Sequence, residues 1–329
     1  MNDLERVNYM FDVTALGELL IDFTPNGISQ NGNTLFERNP GGAPANVLTA
    51  LAILNKKTAF LGKVGNDQFG HFLESVLKAK GIHTSGLVFT DDVPTTLAFV
   101  HLDESGDRSF SFYRNPGADM TLSSGQLNKE IISQSRIFHF GSLSLSHDPV
   151  RSTTLEALRY ARDNKILISY DPNLRPLLWK SLKDAKEQIL QGLEFADIVK
   201  ISEEEFEFLT GAANIEEGTI HLYEKYNISL LLVTMGEKGC FYRAGYHAGY
   251  KKGFKAPTID TTGAGDAFFG GILFKLLGLG LHPNELTLKE IDHMTTFANG
   301  LAALSTTRLG GIPSMPTLEE AEKFIKANQ

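Results

Sequence analysis

What most constrains this chain is a rhythm. Short apolar runs at residues 59–64, 137–140, 165–170, 197–201 and 230–234 have the length and composition of strands. Between and after them stand segments long enough for helices, at residues 45–54, 67–79, 147–164, 181–195, 262–277, 288–305 and 317–327. A strand that is apolar on both faces must be covered on both faces. Strands alternating with helices therefore indicate βαβ units around a parallel sheet, an α/β fold. Residues 11–20 are apolar and then glycine-containing, which suits a strand running into a functional loop. Ser202 opens a further helix with Glu205 three residues on, as in a capping box.

One segment breaks the rhythm. Residues 95–102 and 108–114 are strand-like and joined by Asp-Glu-Ser-Gly-Asp, a polar, glycine-containing hairpin turn. By the period of two, Phe110, Phe112 and Arg114 share one face of the second arm. Two aromatics beside an arginine suit a surface that closes over a polar ligand. They suit equally an edge hairpin packed on the core with Arg114 exposed.

Composition excludes several classes. With 329 residues, 42% hydrophobic and 21% charged, the chain can bury a full core as one large domain or two smaller ones. The net charge is -8 and no basic stripe is present, against a nucleic-acid binder. The one cysteine, Cys240, cannot form an internal disulfide and reads as buried strand packing. No apolar run reaches the ~18 residues of a membrane span. The acidic start MNDLERVNYMFD is unlike a secretory signal, so a cytoplasmic location is expected.

The stretch DTTGAGDAF, residues 260–268, sets three small residues before a lone acid and an apolar helix. A helix's first turn leaves backbone N–H groups unpaired and partly positive, and an anion placed there is stabilised. Gly263, Ala264 and Gly265 have little or no side chain to block close approach. Residues 263–266 can thus cradle a migrating phosphate, with Asp266 placed to deprotonate an attacking hydroxyl. The positive helix end should favour the ionised form of Asp266. Taken alone, the pattern also fits a plain helix start whose acid only meets the dipole. It is not a Rossmann fingerprint, because the sixth position is Phe268, nor a Walker A loop, because Gly62 and Lys63 are followed by Val64.

Together with PGGAPANV (residues 40–47), this string resembles the two signatures of the ribokinase-like (PfkB) sugar kinases. GELLIDF (17–23), GKVGNDQFG (62–70), FYRNPGADM (112–120), YDPNLRPLLW (170–179) and VTMGEKGC (233–240) resemble the fructokinase branch, in order, across residues 11–327. The resemblance implies a ribokinase-like, doubly wound, mostly parallel α/β fold in a single kinase domain, residues 1–329. A small β-sheet lid would come from about residues 22–40 and 95–115. It implies transfer of the ATP γ-phosphate, with magnesium, to the C6 hydroxyl of fructose.

Position by position, Asp266 resembles the catalytic base and Gly263, Ala264 and Gly265 the anion hole. Asp22, Gly41, Gly42 and Asn46 resemble the sugar clamp. Arg175 resembles the arginine near sugar and γ-phosphate, with Phe112 and Arg114 reaching in from the lid and Ala98 on its first arm. Thr234, Gly236 and Gly239 resemble the loop along the ATP phosphates and ribose. Asn299 would face the adenine, and Lys200 would neutralise phosphate charge. Where many relatives carry Asn-x-x-Glu this chain has Ser202 to Glu205, so Glu205 is expected to reach magnesium through water. Asp260 and Thr262, with Ser305, Arg308, Gly310 and Ser314 on a second loop, form a candidate potassium site. The alternatives are a 2-keto-3-deoxygluconate kinase or another sugar kinase of this fold, and a non-catalytic sugar-binding regulator on the same scaffold. A homodimer through open lid edges is a further expectation.

Overall fold

The computed structural model describes residues 9–102 and 108–328. The first half of the chain gives strands β1 (Phe11–Leu16), β2 (Leu20–Ile28) and β3 (Thr34–Gly41), then helix α1 (Ala43–Ile53). β4 (Thr58–Gly65), α2 (Gln68–Ala79), β5 (His83–Thr90), β6 (Leu97–Leu102) and β7 (Arg108–Tyr113) follow. The middle alternates α3 (Lys129–Ser133), β8 (Ser135–Gly141), α4 (Val150–Asp163), β9 (Leu167–Asp171), α5 (Leu182–Leu193) and β10 (Ile198–Ser202). The rest is α6 (Glu203–Thr210), α7 (Ile215–Lys225), β11 (Leu230–Thr234), β12 (Gly239–Ala244), β13 (His247–Lys252), α8 (Ala264–Leu279), α9 (Leu288–Ser305) and α10 (Leu318–Asn328). The polar turn expected between β6 and β7 lies outside the described residues.

These strands form two sheets. The large one has nine strands in the order β13-β12-β11-β10-β9-β8-β1-β4-β5, parallel from β11 to β5 and antiparallel across β12 and β13. The strand order reverses between β8 and β1, and in such sheets the crevice at the carboxyl ends takes the ligand. Alternate residues divide between the two faces. Phe138, Phe140, Leu231 and Val233 enter one apolar cluster, and Ile137, Leu230 and Leu232 the other. The small sheet, ordered β3-β2-β6-β7, is separate.

The helices that carry the site are wedged in place. α8 is apolar nearly all round because it lies between α1 and α9: a Cβ on Gly270 would fall 2.7 Å from the Ala50 Cβ, and one on Gly271 3.0 Å from the Ala298 Cα. Ser202 and Glu205 form the expected capping box of α6.

The apolar rhythm does not announce β5, α7 or β13. β5 is an edge strand, buried at Thr84 and Gly86 but exposed at His83 and Ser85, so its sequence is mixed. β13 is the opposite edge and alternates half-buried with exposed residues. α7 has Gly218 mid-helix, packed on the Phe206 ring, where a larger residue would clash.

Candidate active site

The carboxyl ends of β1, β8, β9 and β10 open into a cleft of about 690 Å³, roofed on one side by the small sheet. Asp22, Thr24, Val100, Phe110 and Phe112 line it from that sheet. From the core come Gly42 and Asn46 at the start of α1, Arg175 after β9, Lys200 on β10, and Gly263, Gly265 and Asp266 at the start of α8. A second cavity of about 570 Å³ lies against it, lined by Thr234, Gly236, Gly239, Ala264, Gly265 and Asn299 among others. Thr261 and Gly265 face both cavities. The turn into α8 is thus the shared wall between two ligand-sized spaces.

Local sequence explains that turn. Gly263 is the N-cap of α8 in the left-handed region, φ 77°, which a residue with a Cβ adopts only with strain. Its bare Cα also lies on Gly311, where a Cβ would come to 2.9 Å. No side chain caps this helix: the Ala264 N–H donates to the Thr261 carbonyl at 3.2 Å, and the N–H groups that follow have no side-chain partner. Asp266 sits in the first turn, buried, and accepts a 2.8 Å hydrogen bond from Asn46 Nδ2. Burial, then the neighbouring Asp171 charge, push its carboxyl up to about 6, against the pull of Lys200, Asn46 and Arg175. The expected preference for the ionised form is therefore overridden: loss of hydration outweighs the helix end.

The sugar-side residues gather as a group. Gly42 starts α1 at φ 120°, and a Cβ there would lie 2.3 Å from the Glu18 carbonyl. Gly41 presses on the Asp22 carboxylate, leaving only 2.2 Å to an added Cβ. Burial lifts Asp22 to about 6, with Arg175 opposing. Arg175 is exposed at the mouth, where its guanidinium donates to the Leu174 carbonyl. Ala98 stands in the register row between Asp22 and Phe112 but is fully buried and does not line the cleft.

Other placements differ from expectation. Arg114 does not reach into the cleft: it is buried, its Nε 2.7 Å from Asp119 Oδ2, with further bonds to Ser146 Oγ and the Leu143 carbonyl. A buried guanidinium needs a buried counter-ion, and Asp119, on the turn after β7, supplies one. Glu205 lines neither cavity. Its Oε2 accepts from the Ser202 amide at 2.7 Å and its Oε1 from the Leu174 amide at 2.6 Å, so it braces the Pro172–Arg175 loop. Lys200, expected beside the nucleotide, is buried 2.8 Å from Asp171 Oδ2 and lines the first cleft rather than the second cavity. Asn299, by contrast, lines the second cavity as expected, and donates to the Lys251 and Lys252 carbonyls of β13.

Of the candidate potassium residues, Asp260 ties the two loops together. Its Oδ1 accepts from the Thr262 amide at 2.9 Å and its Oδ2 from the Gly310 amide at 2.9 Å. Ser305 and Ser314 are buried and bond to the Ala302 and Gly311 carbonyls. The Arg308 side chain turns away to Glu320.

Sequence reasoning missed Glu18. Its Oε1 accepts from the Ala43 amide at 2.9 Å, giving α1 the side-chain cap that Gly42 cannot. Burial raises it to about 7, and it lines the cleft. Asp171 was also missed, although its place beside the DPNLR arginine was a usable signal.

Residues 10–318 match the family model described as pfkB family carbohydrate kinase. Fructokinase-1 of Zea mays is 44% identical over 317 residues, covering 95% of this chain and 97% of that protein. The crystal structure of a fructokinase from Xylella fastidiosa with bound ATP has a TM-score of 0.89 at 33% identity, covering 96% of this chain and 98% of that one. A fructokinase double mutant from Vibrio cholerae O395, in a form binding fructose, ADP and a potassium ion, gives 0.86 at 34% identity over 97% and 99%.

Proposed function

Because the chain belongs to the pfkB family of carbohydrate kinases, we propose that it is a fructokinase, transferring the γ-phosphoryl group of ATP to the C6 hydroxyl of D-fructose. The observation that carries this reading is the shared wall: the Gly263–Asp266 turn separates two cavities, and the buried acid faces the cleft that also holds Asp22 and Asn46. Fructose would lie between the small sheet and α1. Asp22 accepts its hydroxyl protons and Phe112 covers it. ATP would fill the second cavity, its γ-phosphate at the turn.

Asp266 takes the proton from the C6 hydroxyl as that oxygen bonds to the γ-phosphorus. The bond from phosphorus to the β–γ bridging oxygen breaks, and its electron pair leaves with ADP. The N–H groups of residues 263–266 hold the moving phosphoryl in place, and Lys200 and Arg175 supply positive charge beside it. The small sheet would act as a lid that excludes water.

Magnesium fits as a companion of the nucleotide phosphates, neutralising their charge and keeping much of its water. Among the described residues no three His, Cys, Asp or Glu side chains cluster to hold a metal, and both Glu205 oxygens are engaged by the backbone. Potassium suits the pair of loops that Asp260 joins, with backbone oxygens as ligands. We place the enzyme in the cytoplasm and propose a homodimer through the small sheet, which exposes Leu35, Phe36, Phe110 and Tyr113. Among the described residues no helix is long and apolar enough to cross a membrane.

Fructose is favoured over 2-keto-3-deoxygluconate by Arg114. Its commitment to Asp119 leaves a substrate carboxylate without that partner, while Glu18, Asp22 and Glu37 line the same cleft. A coupled assay of ATP consumption over fructose, glucose, mannose, ribose and 2-keto-3-deoxygluconate tests the reading. Fructose should give the highest kcat/KM. Preference for the acid would reassign the substrate, and no turnover on any sugar would make the chain a binding protein.

A further inference from the structure

Asp171 ends β9 and is 1% exposed, yet only one of its carboxylate oxygens is satisfied. Oδ2 accepts from Lys200 Nζ at 2.8 Å, while Oδ1 is buried with no hydrogen-bond partner. β9 and β10 pair in parallel register at Tyr170 and Val199, so Asp171 and Lys200 stand side by side one row further on, at the carboxyl ends of the strands. The Lys200 ammonium then reaches the turn into α8: a Cβ on Gly265 would sit 3.0 Å from Nζ. Lys200 lines the cleft, and Asp171 lies directly behind it.

Such a pair is a poor device for stability. Two apolar side chains of similar volume would serve the core as well or better, because both charges lose their hydration. An orphaned carboxylate oxygen makes the arrangement costlier still. What the pair does provide is one cation fixed at the back of a phosphate cradle, held there by an anion directly behind it. We propose that Asp171 is a positioning residue of the transfer step: it anchors the Lys200 ammonium against the Gly265 turn of the cradle. This rests on the reading of Asp266 as base.

The surroundings of Asp266 allow the idea to be tested by pH. The groups that face it are Asp171 on β9, Lys200 on β10, Arg175 after β9 and Asn46 on α1. Behind Lys200 lie Glu205 on α6 and His139 on β8. His139 is buried and depressed to about 3, so it stays neutral through the working range. Asp171 raises the proton affinity of Asp266, and Lys200 lowers it. An unprotonated Asp266 is the active form, so kcat/KM falls as pH drops through its pKa. Removing Asp171 should move that acid limb to lower pH, and removing Lys200 should move it to higher pH.

The experiment is the pH profile of kcat/KM for ATP and fructose in full-length Asp171→Asn, Lys200→Met and the double variant, with kcat and KM separated. The double variant leaves no lone buried charge, which keeps the test open if either single variant folds poorly. Expected are a kcat lowered about 10–100-fold in all three, as for a small misplacement of catalytic groups, and a fructose KM changed by less than about threefold. The acid limb should move down by about one pH unit in Asp171→Asn, up in Lys200→Met, and back towards the parent in the double variant. A double variant with parental kcat, or an Asp171→Asn enzyme whose melting temperature falls while its limb and kcat stay parental, overturns the role of Asp171 alone. An acid limb that persists unchanged in the residual activity of Asp266→Asn overturns the base itself, and this proposal with it.

Discussion

Two buried ion pairs flank the cleft, and they are satisfied very differently. At the stem of the small sheet, Thr96 just before β6 and Arg114 just after β7 converge on Asp119. Oδ1 accepts from Thr96 Oγ1 at 2.5 Å and Oδ2 from Arg114 Nε at 2.7 Å, while Arg114 Nη1 and Nη2 donate to Ser146 Oγ and the Leu143 carbonyl. At the floor of the cleft, Asp171 and Lys200 share one bond, and an Asp171 oxygen is left over. In the first pair both carboxylate oxygens and all three guanidinium nitrogens are engaged, and it does not line the cleft. The second pair faces it through Lys200. The engaged pair holds a shape, whereas a buried oxygen left without a partner beside a ligand cleft calls for another explanation, which the anchoring of Lys200 supplies.

The comparison would be broken most directly at the group the floor pair serves. Asp266→Ala should lower kcat by ~10²–10⁴, the usual contribution of a general base, with both substrates still bound. Rapid-quench turnover together with equilibrium binding of fructose would show it, and full turnover would remove Asp266 from the mechanism. The stem pair should respond in the opposite currency. Arg114→Met leaves Asp119 buried without its counter-ion, which should cost about 3–5 kcal/mol of stability. Urea unfolding would show a lower midpoint, while kcat and fructose KM of the folded enzyme stay within about threefold. A fructose KM raised a hundredfold with unchanged stability would return Arg114 to the role its sequence first suggests.

That contrast also shows what the sequence could and could not reveal. The parallel sheet was legible because strands covered on both faces must be apolar throughout, as residues 230–233 are. Edge strands escape this rule, and β5 and β13 were missed for that reason. The Gly263–Asp266 turn was legible because close approach and a positive φ demand particular residues in a row. Long-range pairings leave no such local mark. Nothing near Arg114 distinguishes an arginine reaching for a ligand from one reaching for Asp119, five residues on but across a turn. Glu205 carried two compatible signals, a capping box and a motif position, and the fold uses the first. Burial was the other hidden quantity. The helix end at Asp266 was visible, but the desolvation that outweighs it depends on α1 and β9 arriving from elsewhere in the chain.

The smallest expected effect probes the contact between the two halves of the floor. Gly265→Ala keeps the helix start, since Ala is the better helix former and Gly265 lies inside α8 with no positive φ. Its added methyl would stand 3.0 Å from Lys200 Nζ, closer than a carbon and an ammonium settle without one giving way. The lysine tip is flexible in principle, but Asp171 holds it at 2.8 Å, so the strain passes into the pair or into the turn. Overpacking of this kind costs about 1–3 kcal/mol. If it falls on the cradle, kcat should drop about tenfold, with the melting temperature nearly unchanged. Combining the variant with Asp171→Asn then sharpens the comparison. A lysine released from its anchor can retreat from the methyl, so the two losses should be less than multiplicative. Fully multiplicative losses would mean that the ammonium and the turn act independently and that the floor pair is no more coupled to the cradle than the stem pair is.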